Sequence, residues 1–269
     1  MGGLANQACQ YAAAIKLAKP NIARVVCDLS FLNAHQDPNS GITPRQFTLN
    51  TLLLHPAETV DETPAGVTPL SGEVDSVPND GKDYRIQGYF QRLSALPDFW
   101  ELRHIFMLPT SVGNNPIGHL LGAMDKYEHN IGIHIRRSDY LNPNALAFHG
   151  VLGVEYYQEA ISLLMSRNVL QKDDTQLVVY SDDTIWCSTE LVPKLGLDNV
   201  IYAEDYVDGD AAQLYSMAFQ PYFAIANSSF SWLGRLRAMS YNNTNTVFPK
   251  RWFRDYSPPG MMPSSWVGV

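Results

Sequence analysis

Three segments set side chains with phosphate and proton chemistry directly behind runs that read as β-strands. Arg136, Arg137, Ser138 and Asp139 follow the run 131–135, and Ser181, Asp182 and Asp183 follow 176–180. Asn227, Ser228, Ser229, Phe230, Ser231 and Trp232 follow 222–226 and open a helix. A guanidinium stays charged and grips phosphate through a planar fork. A helix N-terminus presents free N–H groups and positive partial charge to an anion. Carboxylates would repel a phosphate, so the acids need a different role, either accepting the N–H donors of a guanine edge or acting as a base. Each segment also has a plainer reading. Arg136-Arg137 can be a solvated pair, Asp182-Asp183 a turn and helix cap, and Ser228-Ser229 a cap alone. Gly2-Gly3 can be a simple turn, and His134 a core histidine with its hydrogen bonds satisfied. Joint placement on one rim is what favours a site.

The elements that must hold these residues alternate. Strand-like runs at 131–135, 176–180, 199–203, 222–226 and 246–248 are separated by helical stretches near 155–168, 185–195, 210–219 and 229–240. In the first of those helices Tyr157, Ala160, Ile161 and Leu164 recur at helical spacing. Such alternation predicts βαβ units and a parallel sheet, whose ligands bind beyond the carboxyl ends of the strands. Upstream, the Gly2-Gly3 turn opens a helix with Ala8, Tyr11, Ala12 and Ile15 on one face; Pro20 ends it and 24–29 reads as a strand. Residues 35–82, rich in Pro, Gly, Thr and Asp, predict little regular structure. The run 84–90 predicts a strand, followed by helices near 97–106 and 115–128.

Composition narrows the classes. A chain of 269 residues suits two domains of about 100–150 residues each. A hydrophobic content of 45% is that of a globular protein. The net charge of -8 argues against general nucleic-acid binding, which needs clustered Lys and Arg. Cys9, Cys27 and Cys187 show neither zinc spacing nor a disulfide framework. No apolar run reaches the roughly 18 residues of a membrane span, and no basic-then-apolar leader opens the sequence. The expectation is a cytoplasmic protein. Sequons at Asn227 and Asn242 carry no weight without a secretory route.

Six segments, in order, resemble the α-1,2-fucosyltransferase family, glycosyltransferase family 11. They are Gly2-Gly3-Leu4-Ala5-Asn6-Gln7 with Gln10-Tyr11-Ala12, then Gln87-Gly88-Tyr89-Phe90-Gln91, and His134-Ile135-Arg136-Arg137-Ser138-Asp139-Tyr140. Tyr156-Tyr157-Gln158-Glu159-Ala160-Ile161, Ser181-Asp182-Asp183 and Ala226-Asn227-Ser228-Ser229-Phe230-Ser231-Trp232 complete the set. The sequence departs from the family pattern at Ser138, Gln213, Tyr222 and Leu233, and has Met1 where the family carries a strand.

The resemblance implies a GT-B fold of two Rossmann-like domains, 1–128 on the acceptor side and 129–269 binding GDP-fucose. It implies inverting transfer of L-fucose from GDP-β-L-fucose to O2 of a terminal galactose on an oligosaccharide acceptor, with no metal cofactor. Arg136 would bind the β-phosphate and stabilise the leaving group. Arg137, Ser228, Ser229 and the backbone from Phe230 would add to the donor site, with Asn227 beside them. His134 and Asp182 or Asp183 would meet guanine, and Gly2 and Gly3 would let backbone approach the donor near Asn6. Asp139 is the candidate base, with a brace for the arginines as its alternative; Glu155 is a weaker candidate. No nucleic acid or membrane span is expected among the partners, and peripheral membrane contact is left open. The rivals are a metal-dependent GT-A enzyme reading Asp182-Asp183 or Asp208-Gly209-Asp210 as its acidic motif, and an inactive, lectin-like protein on the same fold.

Overall fold

A computed structural model describes residues 2–37, 43–108, 115–238 and 245–269. The chain forms two compact units, Met1–Thr110 and Ser111–Val269. The division falls upstream of residue 128, so the helix near 115–128 lies in the second unit. The sequon at Asn242 lies outside the described residues.

The first unit opens with helix α1, Leu4–Ala18, which buries Leu4, Ala8, Ala12 and Leu17. Pro20 sits in the 3₁₀ turn Lys19–Asn21 that ends it. Strand β1, Cys27–Asp28, helix α2, Ser30–Ala34, and strands β2, Thr59–Val60, β3, Thr68–Pro69, and β4, Tyr84–Arg85, follow, then helix α3, Phe99–Ile105. Among the described residues β1 pairs only with β2 and β3 only with β4, both parallel. The strands expected over 24–29 and 84–90 are therefore two-residue ladders. Phe90, at φ 52°, takes the left-handed backbone that interrupts the second run. Asp98 caps α3 by accepting from the Glu101 N–H at 2.8 Å.

The second unit runs α4, Gly118–Met124; β5, His129–Ile135; α5, Pro143–His149; α6, Val154–Asn168; β6, Thr175–Ser181; and α7, Thr184–Trp186. It continues with β7, Val200–Tyr202; α8, Gly209–Ser216; β8, Tyr222–Ala224; α9, Ser229–Ala238; β9, Asn245–Phe248; and β10, Val267–Gly268. The helix expected near 185–195 changes pitch, widening to a π-turn over Cys187–Leu191 and tightening to a 3₁₀ turn over Val192–Lys194. Pro193 lacks the N–H that an α-helix would need there. Neither α5 nor β10 is anticipated by the sequence pattern.

All six strands of the second unit are parallel, in the order β10-β9-β8-β5-β6-β7. Counted from β5, the chain walks outward through β6 and β7, then returns to the other side of β5 and walks out through β8, β9 and β10. This is the doubly wound, Rossmann-like order, and its reversal point lies between β5 and β8. One face of the sheet packs Ile131, Ile133, Ile135, Leu177, Val179, Ala224 and Val247 against Tyr157, Ala160, Ile161 and Leu164 of α6. The opposite face carries Asn130, Gly132, His134, Gln176 and Tyr180 toward α4, α8 and α9. Gly132 has to be glycine: a Cβ there would lie 2.4 Å from the Phe223 ring.

Candidate active site

The reversal point gathers the segments singled out in the sequence. The loop after β5 supplies Arg136 to Tyr140, the end of β6 supplies Ser181 to Asp183, and the turn after β8 supplies Asn227 to Phe230 ahead of α9. Arg136 lies between two carboxylates: one guanidinium nitrogen is 2.7 Å from Asp139 Oδ1 and the other 2.8 Å from Asp182 Oδ2. Asp182 also accepts the Arg137 backbone N–H at 2.8 Å, and Ser138 Oγ donates to the Asp182 carbonyl at 2.7 Å. The two loops are thereby sewn together.

Arg137 faces the other way. Its Nε donates to Asp183 at 3.0 Å and its guanidinium lies 4.0 Å from the centre of the Trp186 ring. The second oxygen of Asp183 caps α7 by accepting the Trp186 N–H at 3.1 Å. Asp182 and Asp183 are thus already engaged, with the arginines and with a helix start. The capping anticipated for this pair is present at Asp183, and the pairing with the arginines comes in addition. Asp139 stands as a partner of Arg136, the bracing arrangement.

His134 is buried, and its Nδ1 is 2.8 Å from Ser231 Oγ of α9. Burial, and secondarily the charge of Arg136, push its pKa down to about 3, so the ring is neutral at physiological pH. Its contacts link β5 to α9 across the reversal point. Ser228 Oγ accepts the Phe230 N–H at 3.3 Å, satisfying one orphan donor of α9. Asn227 is buried and its amide donates to two carbonyls, those of His149 at 2.9 Å and Trp252 at 3.2 Å. It ties the end of α5 and the segment around Trp252 to the end of β8.

Sequence reasoning missed several residues here. Tyr156 donates its hydroxyl to the Ile225 carbonyl at 2.6 Å, and Tyr157 donates to the His134 carbonyl at 3.1 Å. Two successive side chains at the start of α6 thus hold the ends of β8 and β5 on either side of the reversal point. Burial raises both hydroxyl pKa values well above 10, so both remain donors. The paired tyrosines were visible in the sequence as part of a helix; their targets were not. Trp186 and His149 carry no local signal, and Tyr140 was visible only as the last residue of the 134–140 motif. Tyr140 stacks on His149 at 4.4 Å and lies beneath Arg136, whose guanidinium carbon is 5.7 Å from its ring centre.

Gly2, Gly3 and Asn6 belong to the first unit. Gly2 has φ +93°, and a Cβ on it would lie 2.1 Å from the Asn6 amide. Gly3 is the residue that starts α1. Asn6 accepts from Gln91 at 2.6 Å and Gln10 donates to the Gly88 carbonyl at 2.9 Å. The first two motifs therefore hold one another. Gln7 is fully used, donating to the Gly2 and Gln46 carbonyls and accepting from the Thr48 and Leu49 N–H groups.

The family model for glycosyl transferase family 11 matches residues 72–258, a span that takes in every motif above except Gly2 to Ala12. The chain belongs to glycosyl transferase family 11. It is 29% identical over 138 residues to the O-antigen biosynthesis glycosyltransferase WbnK of Escherichia coli, covering 51% of this chain and 43% of that one. It is also 29% identical over 178 residues to an alpha-1,2-colitosyltransferase of Escherichia coli, covering 63% of this chain and 56% of the relative. The chain thus spans about half the length of the curated relatives it matches.

Proposed function

We propose that this family 11 chain is a galactoside α-1,2-fucosyltransferase, moving L-fucose from GDP-β-L-fucose to O2 of a terminal galactose with inversion and without a metal ion. The observation that carries the reading is the placement of Arg136. It stands at the reversal point of a Rossmann-like sheet, oriented by Asp139 and Asp182. Two of its five N–H donors meet carboxylates, and the rest of the fork suits the β-phosphate of a nucleoside diphosphate. Charge developing on the departing diphosphate is then met by a fixed cation, the role a divalent ion fills in GT-A enzymes. The start of α9, with Ser228 and Ser229, adds N–H donors to the same phosphate. Asn227, His134, Asp182, Asp183 and Arg137 act one step back, holding Arg136 and the strand ends in register. The first unit takes the acceptor.

The second reading concerns the sugar. One relative is named as a colitosyltransferase forming α-1,2 linkages, so colitose competes with fucose as the sugar transferred. No described helix is long and apolar enough to cross a membrane; a cytoplasmic location and peripheral membrane contact are part of the proposal.

The test measures GDP release from the fucosyl and colitosyl donors, with and without a terminal galactoside. Galactoside-dependent release from GDP-fucose in EDTA is the expected result. Arg136→Ala should lower it at least ~100-fold, the scale of losing a main charge-stabilising donor. Near-normal turnover in that variant would remove Arg136 from the reaction. Loss in EDTA restored by manganese would favour the metal-dependent alternative. Galactoside binding with no release would mark a lectin-like protein.

A further inference from the structure

Transfer to a sugar hydroxyl requires a group that takes the hydroxyl proton as the new bond forms. The acids at the reversal point are already committed. Asp139 and Asp182 face Arg136 at 2.7 and 2.8 Å, and Asp183 holds Arg137 and the Trp186 N–H. His134 is buried with its Nδ1 on Ser231. One further imidazole lies beside this cluster, on an element the sequence pattern does not announce. His149 ends α5, and its carbonyl is fixed by Asn227. Its ring is held at 13° to the Tyr140 ring, 4.4 Å between centroids. Phe148 packs on it edge-on at 4.9 Å and Phe253 at 5.5 Å. Nδ1 is sealed from solvent without a hydrogen-bond partner, while the residue as a whole is half-buried.

Building on the transfer reading above, we propose that His149 Nε2 accepts the proton of the attacking hydroxyl. The neutral ring then carries its own proton on Nδ1 and a lone pair on Nε2. As the acceptor oxygen bonds to the anomeric carbon, its O–H bond breaks and the proton moves to Nε2. The pair of electrons in the bond from the anomeric carbon to the diphosphate oxygen departs with the diphosphate, next to Arg136. The imidazolium afterwards gives a proton to solvent, restoring the ring.

The charged and titratable groups around His149 suit this chemistry. Asp139 and Arg136 act on it from the loop after β5, Tyr140 lies against its face, and Arg254 follows Phe253, its N–H donating to the Phe148 carbonyl at 3.1 Å. Burial dominates and lowers the ring's pKa, Asp139 raises it and Arg136 lowers it. The resting ring is neutral at physiological pH, as an acceptor must be. The stacked Tyr140 ring and the edge-on Phe148 ring fix the plane of the imidazole.

Two variants separate the proton role from packing. His149→Phe keeps an aromatic ring on Tyr140 and removes the nitrogen; His149→Ala opens a space for free imidazole. We expect His149→Phe to lower kcat for transfer by ~100-fold or more while the Kd for GDP stays within about twofold. Added imidazole should restore at least about tenfold of the lost rate in His149→Ala. Retained turnover in His149→Phe, loss of GDP binding in step with turnover, or absence of imidazole rescue would each overturn the assignment. A wild-type chain that binds GDP and transfers no sugar would instead refute the transfer reading itself, and the proton acceptor with it.

Discussion

Alternate residues of β5 enter two different environments. Ile131, Ile133 and Ile135 meet the apolar side chains of α6, while Asn130, Gly132 and His134 point to the opposite face, where a buried polar layer lies beneath α4, α8 and α9. In that layer Arg235 is wholly buried, donating to the Met217 and Gln220 carbonyls at 2.6 and 2.7 Å and to Thr246 at 3.2 Å. Burial pushes its pKa down to about 9, which leaves it charged at neutral pH. Gln220 bonds in turn to Tyr180, and Tyr180 to Ser216. Apolar contacts are tolerant of exchange at constant volume, whereas a buried polar network has few satisfied arrangements. His134 belongs to the second kind of face, as does its link to α9. The α6 face supplies stability, and the α9 face specifies where the loop after β5 begins.

Breaking each face should show this difference. Arg235→Ala takes a donor away from two buried carbonyls and opens a cavity, so it should cost about 4 kcal/mol or more in urea unfolding. Leu164→Ala on the α6 face should cost about 3 kcal/mol and leave GDP affinity intact in the folded fraction. An Arg235 variant milder than the Leu164 one would reverse the ranking of the faces. Gly132→Ala drives a methyl into the Phe223 ring and should cost about 2 kcal/mol; calorimetry showing no fall in Tm would mean the polar face has slack. The smallest effect is that of pH. His134 stays neutral in the folded chain down to about pH 3, while an unfolded histidine takes up its proton near pH 6.5. Stability is therefore full above pH 6.5 and falls as pH drops below it, by at most about 1.4 kcal/mol per pH unit. Comparing unfolding at pH 7 and pH 5 should show a shallower slope in His134→Gln than in wild type.

The fold of the second unit was largely legible because its strands and helices carry strong periodic patterns. The alternation 131–248 predicts the parallel sheet directly, and five of its strands stand where expected. The site was legible as a set of segments but less so as a set of roles. Asp182 reads in sequence as free to meet a ligand, and in space it is taken up by Arg136 and the backbone of residue 137. That contact joins residues 45 apart, and the His134–Ser231 contact joins residues 97 apart. No local pattern encodes such pairings. The first unit was the least legible: its two-residue ladders are too short to impose a period on the sequence.

The paired tyrosines of α6 have an implication for how this chain can change. Their hydroxyls bind carbonyls at the ends of two different strands, yet the two side chains leave adjacent links of a single backbone. The width between those two carbonyls is consequently tied to one short stretch of helix, much as a fixed gauge sets the spacing of rails. Drift among the isoleucines below can be absorbed without altering that width. Insertion of one residue between Tyr156 and Tyr157 cannot, because it would rotate one tyrosine off its rail while leaving the other in place.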